Sequence, residues 1–267
     1  MPQTPSHTPD PVVRQVTLMQ PLQWLGLAWR DMERAPLPGL LHGLVFTAVA
    51  AVALLVARQH FWLLAGAFSG FLLVAPILAT GLYAISRALE QGKRPGFGAV
   101  VAVWQSGDRR LIGFGLLLAL AGTGWVLTSA AAITLLSPRA VVTPMDFIRE
   151  VMLARDHWLF EAWLLLGGLL AAPVFASSVV AIPLLLDHPK ATIRQAVLVS
   201  WRCVLANPVA MAFWATLIML FTLLGLGSLM LGLILVTPML AHASWHAYRD
   251  LVEPATPATK AVGGRQP

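Results

Sequence analysis

Long apolar runs alternate with short polar stretches along the chain, and the polar stretches carry a finer pattern of their own. Runs near 38–57, 61–86, 111–136 and 158–186 reach or exceed the roughly 20 apolar residues needed to cross a bilayer as a helix. The last run, 208–247, is too long for one ordinary span. Its centre reads "LLGLGSLM", where Gly225, Gly227 and Ser228 are natural turn residues. Dividing it into 208–224 and 227–247 gives six spans.

The finer pattern repeats three times. Trp29, Trp104 and Trp201 each stand seven residues before the residue that opens an odd-numbered span (Pro36, Leu111 and Pro208). The segment around each Trp has apolar residues at helical spacing: Leu18, Leu22, Leu25, Trp29 and Met32; Phe97, Val100 and Trp104; Ile193, Val197, Trp201 and Val204. Each even-numbered span carries Pro, two apolar residues and Ala, from Pro76, Pro173 and Pro238. Arg87 and Arg249 follow the first and last of these prolines by eleven residues, while the middle copy departs with Pro183 and Asp187 at its exit. The predicted unit is an interfacial helix, a straight span, a return and a Pro-kinked span.

Proline cannot donate its N–H and clashes with the carbonyl four residues earlier, so bends are expected at Leu72, near Leu169, and at Ile234. Three bends at one depth would open a crevice toward the cytoplasmic leaflet, with Trp29, Trp104 and Trp201 at its mouth. Such a groove suits a lipid tail or an apolar ligand. Trp29 is expected at headgroup level, with Arg30, Asp31, Glu33 and Arg34 in cytoplasmic water.

Composition names the solvent of these runs. Hydrophobic residues are 58% of the chain and charged residues 11%, against about a quarter charged in ordinary soluble domains. Too little charge remains to cover a water-facing surface, so the fold class is an all-α integral membrane protein. With the N-terminus inside, the outer segments hold four of the 18 Lys and Arg (Arg58, Arg139, Arg149 and Arg155) and the inner segments the other 14. That bias places both termini in the cytoplasm, and it explains the net charge of +6 without nucleic acid. The tails 1–14 and 253–267 are rich in Pro, Thr and other small residues and are expected to be disordered. The first apolar run starts too late and runs too long for a signal peptide.

The Trp-bearing "LQWLGLAWRDM" leading into "GLLHGLVF", together with six spans in paired hairpins, resembles the bacterial family of predicted integral membrane proteins called domain of unknown function 2189. The likeness runs over about residues 18–250. It implies a multi-pass protein of the bacterial inner membrane and no established activity. Some family members carry the label of cytochrome c oxidase.

That label can be weighed against the histidines. An oxidase core needs several membrane-embedded His ligands for two haems and a copper. Of the seven His here, His7 is in the tail, His60 in an outer turn, His157 in an outer loop and His188 in an inner loop. His42, His242 and His246 remain near spans, the last two at i,i+4 on one helix face. They are the best small constellation for a metal or b-type haem, set against interfacial His bonded to headgroups or backbone.

Glu161 is the one charged residue inside an expected span, and it reads as a helix-start acid. Cys203 beside Arg202 has the makings of a lowered thiol pKa, although inert packing is the commoner fate. No nucleophile elbow, Walker A, zincin or paired-cysteine motif occurs. Gly39/Gly43, Gly66/Gly70, Gly115/Ala119, Gly167/Ala171, Gly168/Ala172 and Ser228/Gly232 have the spacing that lets helix backbones approach in lipid.

The expectation is therefore a non-enzymatic, cofactor-free accessory, assembly or lipid-interacting membrane protein. Its partners would be membrane lipids and either its own copies or another membrane protein. A channel or transporter for a small neutral or hydrophobic solute is the alternative, and a redox protein using His42, His242 and His246 a third class.

Overall fold

The computed structural model describes residues 12–57, 61–153 and 158–253. Helices dominate it: α1 (Gln20–Arg34), α2 (Pro36–Ala57), α3 (Phe61–Leu78), α4 (Thr80–Glu90), α5 (Phe97–Gln105) and α6 (Arg109–Leu136). A short α7 (Pro144–Phe147) continues as a π-helical turn, Ile148–Met152. Then come α8 (Leu159–Ser178), α9 (Ala181–Asp187), α10 (Ile193–Ala206), α11 (Pro208–Gly227) and α12 (Leu233–Leu251). Two short strands, β1 (Val12–Val13) and β2 (Val252–Glu253), pair antiparallel. Val12 and Val13 thus lie in a strand inside the stretch assigned to the N-terminal tail.

Among the described residues four helical stretches are long and apolar enough to cross a membrane: Pro36–Val56, Arg109–Leu136, Leu159–Asp187 and Pro208–Gly227. The remaining expected spans correspond to α3, which is 18 residues long, and to α12, whose second half carries His242, His246, Arg249 and Asp250. Exposed leucines and valines stud the long helices, among them Leu44, Val52 and Leu55 on α2, Leu116 and Leu120 on α6, and Leu165 and Leu169 on α8. Water is a poor solvent for such faces; lipid is a good one.

Two expected spans are broken rather than merely bent. The run 61–86 divides at Ala79, where the Thr80 hydroxyl takes the Ile77 carbonyl at 2.7 Å in competition with the helix ladder. The run 158–186 divides at Val179 and Val180. Val179 is four residues before Pro183, whose ring clashes with that carbonyl. Pro173 itself sits inside an unbroken α8, and Pro238 inside an unbroken α12. The long run 208–247 does divide as expected, α11 ending at Gly227 and α12 starting at Leu233. The intervening turn holds Leu229 and Met230 at φ 56° and 67°. Ser228 and Gly232 belong to this turn, the hydroxyl accepting the Gly232 N–H at 2.8 Å, so they make no helix–helix contact of the expected kind.

α12 is the organising element. It packs along α1, α2, α4 and α11, and its inward residues include Ala241, His242, Trp245, His246 and Tyr248. Close approach to α2 depends on Gly39 and Gly43: an added Cβ at Gly39 would stand 3.3 Å from Pro238 Cβ, and one at Gly43 only 2.0 Å from the Ile234 carbonyl oxygen. The main core joins α12 to α1, α4, α6, α9, α10 and α11 around Trp24, Trp214 and Tyr248, with Trp24 and Trp214 edge-to-face at 5.6 Å. Asn207 ties in the N-terminal stretch, accepting from the Val16 N–H at 2.8 Å and donating to the Arg14 carbonyl at 2.9 Å.

Candidate functional site

α1, α5 and α10 each run, within three residues, into the next long apolar helix (α2, α6 and α11). α1 has two different faces. Pro21, Trp24, Ala28, Asp31 and Met32 are buried, whereas Leu22 and Trp29 are exposed. The expected stripe through Leu22 and Trp29 therefore points outward, and its neighbour face packs against α12. This corrects the reading of Asp31, which was placed in cytoplasmic water: it is 4% exposed.

Asp31 is the centre of a polar cluster built from α1, α4 and α12. Ser86 on α4 donates to Asp31 Oδ2 at 2.6 Å, and His246 Nε2 meets the same oxygen at 2.9 Å. His242 Nδ1 lies 2.7 Å from Ser86 Oγ. Serine has one proton, already given to the carboxylate, so the imidazole Nδ1–H donates to Oγ. Burial drives the Asp31 carboxyl up, but the bonds from His246 and Ser86 and the nearby His charges outweigh it and hold the group below its usual value. The Trp24 indole donates to Asp250 at 2.8 Å and the Trp245 indole to Glu90 at 3.0 Å, so each large buried ring has a polar anchor.

Toward the helix ends the cluster becomes ionic. Arg249 Nε is 3.3 Å from Glu90, and Arg249 Nη1 is 3.7 Å from Asp187. Arg87 Nε is 3.1 Å from Asp187, which also accepts from the Tyr248 hydroxyl at 2.9 Å. Arg87 and Arg249, the equivalent residues of the first and last Pro-bearing segments, thus converge on the acid that marks the middle one.

The sequence-predicted residues are placed as follows. His42 and His242 are both buried, each with Nε2 unpartnered, and His246 is bound to Asp31. Trp104 packs on His42 with ring centroids 5.1 Å apart. Trp29 and Trp104 are half-exposed, the Trp29 indole donating to Glu33 at 2.7 Å. Trp201 is partly buried and donates to Ser177 at 2.9 Å. Pro238 is buried and Pro173 exposed, and the side chain of Pro76 lies outside the described set. α4, α9 and α12 pack together, with Leu82, Ile85, Ile182, Leu185 and Tyr248 at most 1% exposed and Leu184 at 2%. His7, His60 and His157 fall outside the described residues.

Other candidates resolve simply. Burial pushes the Cys203 thiol up to about 12, and its Sγ faces the Leu251 carbonyl, so the environment is the reverse of an activating one. Glu161 is exposed in the first turn of α8, where the helix dipole favours an acid. Arg110 donates to the carbonyls of Leu185, His188 and Ala191 at 3.1, 2.9 and 2.8 Å, clamping α6 to the end of α9. Among the described residues no group of three or more His, Cys, Asp and Glu is arranged to hold a metal. Far along α6 and α8 from Arg110, a cavity of about 230 Å³ is lined by Trp62, Trp125, Phe147, Trp163 and the hydroxyls of Ser69 and Ser129. Trp163 donates to Ser129 at 2.5 Å across it.

An all-helical chain with lipid-suited outer faces and its polar groups gathered between helix ends is an integral membrane protein. Residues 63–187, from the start of α3 to the end of α9, match the family model described as Predicted integral membrane protein (DUF2189), the family whose likeness the sequence carries. Neither a curated protein nor a solved structure matches the chain.

Ser86, Glu90 and Tyr248 are members of the cluster that sequence reasoning missed, and Asp31 is one that it placed in water. For Asp31 the signal was its position three residues after Ala28 and seven after Trp24, on a second apolar face of α1.

Proposed function

We propose that this protein crosses a bacterial inner membrane six times, as three hairpins each preceded by a cytoplasmic-face amphipathic helix, with both termini cytoplasmic. It works without catalysing a reaction, as an accessory or assembly protein that engages lipid and either its own copies or another membrane protein. The observation that carries this reading is the two-faced character of the short helices. α1 exposes Leu22 and Trp29 and buries Trp24, Ala28 and Asp31, and α10 exposes Leu198 and Leu205 and buries Ala196, Val199 and Cys203. α5 exposes Phe97 and Trp104, with Val100 buried between them. Apolar stripes held at the feet of long apolar helices fit the boundary between headgroups and acyl chains. The convergence of Arg87 and Arg249 on Asp187 supports the threefold plan.

Lipid analysis by mass spectrometry of protein purified in mild detergent tests the function. The wild type is expected to retain phospholipid after washing, and a variant with Trp29, Trp104 and Trp201 all changed to Ala is expected to lose most of it. Equal retention would end the lipid reading.

Topology is tested separately. Reporter fusions after Gln91 and Arg265 should read cytoplasmic and one after Thr143 external; a cytoplasmic signal at Thr143 would overturn the six-span plan. The aromatic cavity between α3, α6, α7 and α8 favours a second reading, transport of a small neutral or hydrophobic solute.

A further inference from the structure

The cavity of about 230 Å³ takes its walls from four elements: Trp62 and Ser69 from α3, Trp125 and Ser129 from α6, Phe147 from α7 and Trp163 from α8. On one side Trp62, Phe147 and Trp163 pack against a small core of Ile133, Val141, Val151 and Leu159.

These walls are braced. The Trp163 indole reaches from α8 to donate to Ser129 on α6. In the other direction the Trp125 ring lies over Gly167 of α8, where an added Cβ would stand 3.0 Å from it. Trp163 also meets Trp125 at 5.5 Å between ring centroids, and Phe147 edge-to-face at 5.3 Å. Rings held in this way form a preorganised surface, which loses little freedom when something binds it.

Three properties of the cavity select its ligand. Its volume exceeds the roughly 150 Å³ that holds a benzene and falls short of the roughly 300 Å³ at which drug-sized pockets begin. That suits one substituted ring or a fused pair. No charged side chain lines it, which favours an uncharged molecule. Two hydroxyls line it with protons to give. Thr123, Thr128, Ser178 and Ser244 all spend theirs on the carbonyl four residues back, the usual resort of a hydroxyl on an apolar helix. Ser69 and Ser129 do not: Ser129 Oγ accepts from Trp163, and neither hydroxyl donates to any group among the described residues. Both lack an acceptor.

We propose that this cavity binds a small, uncharged, flat ring compound carrying a carbonyl oxygen, the class of aryl ketones and quinone headgroups. The ring lies against the indoles, and the carbonyl oxygen, with two lone pairs, takes the protons of Ser69 and Ser129. The proposal rests on reading the cavity as a solute site and adds the chemistry of the solute. Aromatic cages also attract organic cations. A cation, however, has no use for two donors and finds no carboxylate in this lining.

The test is titration of the full-length protein in mild detergent with indanone, read by quenching of tryptophan fluorescence. Wild type is expected to show saturable quenching at one site. Indane has the same skeleton without the oxygen, and phenyltrimethylammonium is a cation of similar size. As competitors, both should act at least about 3–10-fold more weakly than unlabelled aryl ketone, the worth of a neutral hydrogen bond. Ser69→Ala and Ser129→Ala should each weaken indanone by a similar factor of about 3–10. Ala65→Phe fills the cavity and should abolish saturable quenching; if it fails to fold, Ser69→Ala, which removes one oxygen atom, carries the test alone. No saturable quenching by wild type, competition by indane or the cation as strong as by the ketone, or two serine variants that bind like wild type would overturn the site. Strong competition by indane would end this proposal and leave a neutral-solute path standing. Flux of indanone into proteoliposomes tests transport by itself: binding without flux keeps the site and ends the transport reading.

Discussion

Gly43→Ala is expected to destabilise the protein by about 3 kcal/mol, at the upper end of what overpacking costs. The new Cβ would stand 2.0 Å from the Ile234 carbonyl oxygen, 2.6 Å from its carbon and 2.7 Å from the Ile234 Cα. All three are backbone atoms near the start of α12, so no side chain can swing aside. The contact has a local cause. Pro238 has no N–H to give the carbonyl four residues back, which is that of Ile234. That carbonyl lies where a Gly43 Cβ would be, an approach that only glycine permits. Proline on one helix and glycine on the other are therefore two halves of one packing solution. Gly70→Ala is the control: nothing lies within 4 Å of its added Cβ. There the helix propensity of alanine should leave stability unchanged or raise it by up to about 1 kcal/mol. Thermal melts in one detergent compare the two; equal melting temperatures would show that α2 and α12 do not depend on this approach.

The same pair shows how far the sequence could be read. Apolar runs, the spacing of Gly39 and Gly43, and the turn after Gly227 follow from lengths and residue sizes that lipid enforces, and these are legible without a structure. Break positions were not. A proline was expected to bend each return helix at its own i−4 carbonyl. The breaks fall where a second group competes, the Thr80 hydroxyl in one copy and Pro183 in the other. The polar site was half legible. His42, His242 and His246 stood out by rarity and spacing, but Asp31 looked like one charge among four in a solvated knot. In an interfacial helix both faces can be apolar, one for lipid and one for protein, so the stripe with the larger residues does not identify the buried side. Leu22 and Trp29 mark the outer face of α1, and Trp24 and Ala28 the inner.

Asp31→Asn should cost about 3–5 kcal/mol at neutral pH, since it strips the charge from two buried hydrogen bonds worth about 1.5–3 kcal/mol each. The carboxylate accepts from Ser86 at 2.6 Å and His246 at 2.9 Å, and through Ser86 it fixes His242. Both donors reach Oδ2, so an asparagine oxygen can still accept them, but without the negative charge that strengthens each bond. Ser86→Ala removes a single bond to a charged group and should cost less, about 1.5–3 kcal/mol. Because Asp31 and Ser86 share a bond, the double variant should fall short of the sum of the two. Acidity supplies an independent check. The folded-state pKa of Asp31 lies below its ordinary value, burial being outweighed by the bonds from His246 and Ser86. Its contribution is thus fully present above the unfolded pKa of about 3.9 and is lost as pH falls through the lower folded value. Wild-type melting temperature should drop over that acid range, and the Asn variant should show a shallower drop from its lower starting point. An Asn variant that melts with the wild type at pH 7 would mean that the Asp31 cluster holds nothing together.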